Sequence, residues 1–217
     1  MAAKSKMVKN THSMIFLHGF TMKAEDMEYF TKKIDKILPK GVVMNYILPQ
    51  APKRKITCYK GKQYTAWYDY ETELVTEEEK ISHKDLKESR KFIHSILDSE
   101  IKSLGDPKKV FLGGYSQGCC TMLDAGLTYP QSLGGMIGFK GHIPSFTDKS
   151  KTYKQNIWVC HGIKDDSIGY KVSKSSYDRY MKKGYDINFL SQDKVTHEMN
   201  SGILEEIREL KTWLILS

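Results

Sequence analysis

Long apolar runs are missing from this 217-residue chain. Its most apolar stretches, Met14 to Leu17 and Trp213 to Leu216, fall far short of the roughly 20 residues that a bilayer-spanning helix needs. Lys4, Lys6 and Lys9 are not followed by the apolar core of a signal peptide, so secretion is not expected and a cytoplasmic location is. Cysteine is scarce. Cys58, Cys119, Cys120 and Cys160 form no C-x-x-C pair, and adjacent cysteines on a helix cannot face each other, so reduced thiols are expected. Neither H-E-x-x-H nor a paired Cys/His cluster occurs, so no metal site is expected. Internal repeats, low-complexity blocks and linker-like segments are absent too. One domain over residues 1–217 is expected, with about residues 1–12 forming a flexible basic lead-in.

The net charge of +8 comes from lysines spread along the chain, with short clusters at Lys53-Arg54-Lys55, Lys149-Ser150-Lys151 and Lys182-Lys183. Dispersed charge of this kind makes a solvated surface, not a nucleic-acid groove. The sharper reading is peripheral contact with an anionic membrane face, where an acylated substrate would sit. A monomer or weak dimer is expected.

What the chain does contain is alternation. Ser13 to Leu17, Val42 to Leu48, Val110 to Leu112, Met136 to Phe139, Ile157 to Cys160 and Ile187 to Leu190 are short apolar runs bounded by turn residues, and read as strands. Between them lie helical patterns: from about Ala24 to Ile37, from Ser82 to Leu104, after Gly118, from Tyr170 to Lys183, and from Ser201 to Leu216. Ser82 and Asp85 form a capping-box pattern, and Gly105 a stop. Ala51 to Thr76 reads as a long irregular stretch, and loops of that length are usually either functional or partly ordered by their own packing. Strand–helix alternation predicts an α/β fold with a mostly parallel central sheet and helices on both faces. Ligands gather at the carboxyl ends of the strands in such sheets, so the residues just after each strand are the candidates.

Among them, Gly114-Tyr115-Ser116-Gln117-Gly118 places a serine between a strand and a helix, with small residues two positions to either side. A sharp turn there lifts the hydroxyl above the sheet and points the backbone amide of Gln117 toward a reacting carbonyl. A hydroxyl nucleophile requires a base, and the base requires a carboxylate to fix its tautomer. Of the seven histidines, His18 and His161 each precede a glycine after a strand, a place for bracing loops. His83 and His94 fall on the long helix, His12 in the polar start. His197, in a polar loop before the last helix, is the candidate base. His142 competes but precedes the acids in sequence, and is expected to line the cleft. Either Asp165 or Asp166 could serve as the acid.

With its landmarks Phe16-Leu17-His18-Gly19, Leu48-Pro49-Gln50-Ala51-Pro52, Ala66-Trp67-Tyr68-Asp69, Leu112 to Gly118, Cys160-His161-Gly162-x-x-Asp165 and His197, nearly the whole chain resembles the acyl-protein thioesterase and small carboxylesterase/lysophospholipase family of α/β-hydrolases. The resemblance implies an α/β-hydrolase fold without a large cap domain, and no cofactor. It implies Ser116 as nucleophile, Asp165 as acid, His197 as base, and an oxyanion hole made by the amides of Phe20 and Gln117. The implied reaction is hydrolysis of acyl thioesters or carboxylic esters, with depalmitoylation of an acylated protein first. A general carboxylesterase or lysophospholipase is the alternative within the class. A hydrolase-like module that binds acyl groups without turnover is the alternative outside it. Met22, Trp67 and His142 are candidate substrate contacts, with Phe20, Tyr68 and Phe139 beside them, core packing being the other reading of Trp67 and Phe139. Four departures from the family pattern stand out: Phe20-Thr21-Met22 where a residue and then Gly-Asp is usual, Gly162-Ile163-Lys164-Asp165-Asp166 in an acid loop that commonly reads Gly-Asp-x-Asp-Pro, Cys119 where a glycine is frequent after the elbow, and His142 where an aromatic is common.

Overall fold

Six parallel strands make the central sheet of the computed structural model, which describes residues 10–147 and 153–216. They are β1 (His12–Leu17), β2 (Met44–Ile47), β5 (Val110–Tyr115), β6 (Gly135–Phe139), β7 (Asn156–Gly162) and β8 (Asp186–Gln192), in the spatial order β2-β1-β5-β6-β7-β8. Side chains alternate strictly between two cores. Ile15, Leu17, Ile157 and Val159 face one; Met14, Phe16, Trp158 and Cys160 face the other. Helices α2 (His83–Leu104), α3 (Gln117–Leu127) and α4 (Tyr170–Met181) cover the first with Leu86, Ile93, Leu97, Leu123 and Tyr177. Helices α1 (Glu28–Asp35) and α5 (Ile203–Leu216) cover the second with Phe30, Ile34, Ile203, Leu210 and Trp213. A strand buried on both faces has no polar side to show, which is why the inner strands β1, β5, β6 and β7 read as near-continuous apolar runs, while the edge strands β2 and β8 are half-exposed.

Three expectations are corrected. Of the lead-in expected to about residue 12, the last residues belong to the sheet: Thr11 donates its amide to the Val43 carbonyl and β1 begins at His12. The rest of the lead-in, with Lys4, Lys6 and Lys9, and the Lys149-Ser150-Lys151 cluster lie outside the described residues. The stretch from Ala51 to Thr76 is not irregular throughout: β3 (Lys53–Ile56) and β4 (Lys62–Thr65) pair antiparallel through a turn in which Lys60 and Gly61 take positive φ. Polar, lysine-rich strands carry no apolar pattern to betray them, and only Ile56 is buried. Finally, the capping box on α2 is half formed. Ser82 accepts from the Asp85 amide, but the Asp85 carboxylate is taken by Arg54 at 2.8 Å and by the Asp69 amide. Arg54 is thereby committed to an ion pair, leaving Lys53 and Lys55 as the exposed charges of that cluster.

The strand order also locates the site. The chain runs from β1 outward to β2 and then returns to place β5 on the other side of β1, so the winding reverses between β1 and β5. A crevice opens at the carboxyl ends of two strands where connections depart to opposite sides. The segments beginning at His18 and Ser116 emerge there.

Candidate active site

Ser116 joins β5 to α3 with φ 56° and ψ −125°, a conformation that costs an L-residue about 1–3 kcal/mol and persists only where packing enforces it. The enforcement is steric. A Cβ on Gly114 would come within 2.5 Å of the Gly118 carbonyl, and one on Gly118 within 2.3 Å of the Leu17 carbonyl. The two glycines let strand, helix and the end of β1 approach one another, and the Ser116 amide is tied to the Phe139 carbonyl at 2.9 Å. The Gln117 amide heads α3. Neither it nor the Phe20 amide donates to an acceptor among the described residues.

The structure brings Ser116, His197 and Asp165 together from three loops. The Ser116 hydroxyl lies 2.8 Å from His197 Nε2, and His197 Nδ1 lies 2.8 and 3.0 Å from the two carboxylate oxygens of Asp165. A carboxylate only accepts, so Nδ1 carries the proton and Nε2 is left to accept from the serine. Asp165 is held in its turn: its Oδ1 accepts from the amides of Ser167 and Ile168, and His161, fully buried, stands 3.3 Å from Oδ2. Burial by itself would raise the Asp165 carboxyl. The hydrogen bond and charge of His197, with His161 and the Ile168 amide, outweigh it and hold the group below the usual carboxylate range. Asp166 is exposed at the cleft rim, its neighbour having claimed the turn amides. Gly162 brings the acid and histidine loops together, since a Cβ there would meet the Val195 carbonyl at 2.0 Å.

The Phe20 side is built on the β3–β4 hairpin. Phe20 stacks on Tyr59 with centroids 5.8 Å apart and meets Tyr70 edge-on at 5.4 Å, while the Thr21 amide donates to the Thr65 carbonyl. Thr21 takes φ 65°, about 1–2 kcal/mol of strain that the hairpin contacts sustain. His18 is a brace: Nδ1–H donates to Gly19 O at 2.7 Å and Nε2 accepts from the amide of Ala51 and the side chain of Gln50. Burial depresses its basicity, which keeps the ring neutral in that role.

Phe20, Met22, Ser116 and His197 line one cleft of about 280 Å³. Trp67 does not line it, which corrects the expectation that it contacts substrate. It is fully buried, and its indole N–H, which must find a partner in the core, donates to His18 O, while its amide and the Tyr68 carbonyl clamp the side chain of Gln117. Phe139 is core as well, packed at tilted and edge-on angles among Phe16, Phe30 and Trp158. His142 is corrected likewise: it is 4% exposed and does not line the cleft. Burial opposes its charge, but Cys120, Glu78 and Glu79 prevail and push it up to about 9.

Glu73 and Glu79, which join Asp166 in lining the cleft, were not visible as site residues, because a run of glutamates reads as a solvated face. Only the length of the stretch after Ala51 hinted at them. Burial, against the opposing charge of His142 and with Glu73 and Glu78 adding to it, raises the Glu79 carboxyl to about 7. Its folded state holds the proton more tightly than the unfolded chain does, so stability falls as pH climbs from about 4.5 through about 7. Glu79→Gln is therefore expected to raise stability at pH 8 by on the order of 2–3 kcal/mol and to change little at pH 4, as read from urea midpoints. An equal effect at both pH values would refute this account of Glu79. Among the described residues no three His, Cys, Asp or Glu side chains are grouped to hold a metal ion, and no helix is long and apolar enough to cross a membrane.

Known proteins resemble this chain in sequence and in fold. A 28% identical acyl-protein thioesterase 1 of Gibberella zeae aligns over 95% of this chain and 90% of its own length. A probable carboxylesterase, SOBER1-like, of Arabidopsis thaliana is 27% identical over 78% of this chain, which spans only 65% of that relative's length. In fold, the crystal structure of Arabidopsis thaliana SOBER1 matches with a TM-score of 0.83 at 22% identity, covering 94% of this chain and 98% of its own. Zea mays acyl-protein thioesterase 2 matches at 0.77 and 20% identity, covering 98% of this chain and 96% of its own. The phospholipase/carboxylesterase family model matches residues 1–214, so the chain belongs to that family of α/β-hydrolase enzymes.

Proposed function

We propose that this protein hydrolyses acyl thioesters or carboxylic esters through an acyl-enzyme on Ser116, with S-acylated proteins as the first substrate class. The observation that carries the reading is the continuous contact from the Ser116 hydroxyl through the His197 ring to the Asp165 carboxylate. As Ser116 Oγ bonds to the acyl carbon, its proton passes to His197 Nε2 and the carbonyl π electrons move onto oxygen. The Phe20 and Gln117 amides, free of other acceptors among the described residues, receive that oxyanion; each such donor is worth roughly 3–4 kcal/mol. Collapse of the adduct breaks the carbon–sulfur or carbon–oxygen bond, and His197 returns the proton to the departing thiolate or alkoxide. Water then repeats the sequence against the acyl-enzyme, releasing the acid and regenerating Ser116.

A small-ester carboxylesterase is the second reading, favoured by one observation. The cleft is at the low end of small-molecule sites in size, and Glu73, Glu79 and Asp166 are poor ground for a long apolar chain. A fluorophosphonate probe and three substrates test both. Covalent labelling of Ser116 with faster turnover of an S-acylated peptide than of a short oxyester or a lysophospholipid supports the thioesterase reading. Labelling with preference for the short oxyester supports the second. Absence of labelling in folded protein would leave a binding module without turnover.

A further inference from the structure

The loop carrying His197 rests on a lysine that the reaction has no use for. Lys140 follows β6 with φ 55° and is fully buried. An ammonium taken out of water must find partners for its donors. Its Nζ donates to the Glu198 carbonyl at 2.6 Å and to the Ser201 carbonyl at 2.7 Å, and Glu206 Oε1 stands 3.9 Å away. Glu198 adjoins His197 on one side. On the other, Thr196 donates its amide to the Ser201 hydroxyl, so both carbonyls that Lys140 holds belong to the turn that presents the imidazole. Tyr115, one residue before Ser116, donates its hydroxyl to the His197 carbonyl and pins the same turn from the nucleophile's side.

We infer that Lys140 is a positioning residue for His197: its ammonium, facing the buried Glu206 carboxyl, gathers the 198–201 turn and sets the imidazole between Ser116 and Asp165. Glu206 is fully buried in the first turn of α5, facing Lys140 and the Cys160 thiol, and accepts no hydrogen bond from an N–H or hydroxyl among the described residues. Burial raises its carboxyl to about 7 against the pull of Lys140 and the thiol. Charges buried for stability alone are weakly justified, because apolar residues of similar volume usually serve as well or better. What an apolar residue cannot do is hold two loop carbonyls at fixed points. That capacity, at the residues flanking the proposed base, distinguishes positioning from general cohesion.

The consequence for rate rests on the hydrolase reading; the placement of the ring does not, and the test separates them. Lys140→Met leaves Glu206 unpaired and invites misfolding, so the informative variant is Lys140→Met/Glu206→Leu, which removes both charges. Thermal unfolding reports its stability, and the far-downfield proton resonance of His197 Nδ1–H against Asp165 reports the ring's placement. Labelling by a fluorophosphonate, with kcat and KM on a short oxyester, reports function. The expected result is a folded variant that has lost or broadened that resonance. Labelling rate and kcat should fall on the order of 100-fold, while KM stays within about threefold. A folded double variant that keeps the resonance and labels within about threefold of the parent overturns the inference. If that variant does not fold, Lys140→Arg takes its place. It keeps the charge but puts a longer, planar guanidinium where a compact ammonium sits fully buried 2.6 and 2.7 Å from the two carbonyls, which must shift to admit it, so a displaced resonance with slowed labelling supports positioning, and an unchanged pair of readouts overturns it. Should the parent protein show the resonance without labelling or turnover, the hydrolase reading fails while the resonance in the variants still decides the role of Lys140.

Discussion

Replacing Ser116 with alanine is expected to lower ester turnover by on the order of 10⁵- to 10⁶-fold and to abolish labelling by a fluorophosphonate, while the protein stays folded. The size follows from the relay acting as a unit: without the hydroxyl, His197 has no proton to take and no acyl-enzyme forms. What survives is the small acceleration given by amides and binding to attack by water. Stability should move by about 1 kcal/mol or less, since the substitution removes one hydrogen bond, to His197, and fills no space. The strained turn is kept, because it is imposed by the contacts of Gly114 and Gly118 and not by the serine side chain. Steady-state rates on a short oxyester, with a thermal melt of the same sample, make the comparison. Turnover in pure Ser116→Ala within about tenfold of the parent would remove Ser116 from the mechanism.

Legibility in the sequence was uneven for physical reasons. The sheet was legible because strands buried on both faces must be apolar throughout, and β1, β5, β6 and β7 advertise themselves so. The hairpin was not, since Lys53 to Ile56 and Lys62 to Thr65 bury a single side chain fully and owe their pairing to backbone hydrogen bonds and the Lys60-Gly61 turn. In the site, Ser116 was legible through glycine spacing, because close approach of backbones leaves a mark on composition. The roles of Trp67 and His142 were not. An aromatic or histidine near a cleft in sequence order is equally a core residue, and only coordinates tell which way the side chain turns.

Lys140 marks the limit of such reading. A lone lysine after a strand is read as solvated by default, and its partners Glu198, Ser201 and Glu206 lie some 60 residues on, with no periodicity to join them. The converse holds for His18 and His161. Each was placed as a brace by the glycine that follows it, and each has its ring committed to loop carbonyls, Gly19 for one and Ile168 for the other.

The adjacent aspartates give the second large effect, because they share a loop and differ only in direction. Asp165→Asn is expected to lower kcat by on the order of 10⁴-fold with KM little changed. An amide in that place can turn a donor toward His197 Nδ1, which favours the tautomer protonated on Nε2, and a ring protonated there cannot take the serine's proton. Asp166→Asn should stay within about threefold of the parent, as its side chain is exposed at the rim and makes no contact with the His197 ring. Stability adds an independent check. Asp165 is held below its ordinary value, so its contribution is present above the unfolded carboxyl's pKa of 3.8 and is lost as pH falls through the lower folded value. Unfolding midpoints taken from neutral pH to about pH 2 should therefore fall more steeply on the acid side for the parent and Asp166→Asn than for Asp165→Asn. Equal, mild losses of rate in the two variants would mean that neither carboxylate orients His197. A steeper loss in Asp166→Asn would move the acid one residue along, and with it the direction in which the loop must be turned when substrate is bound.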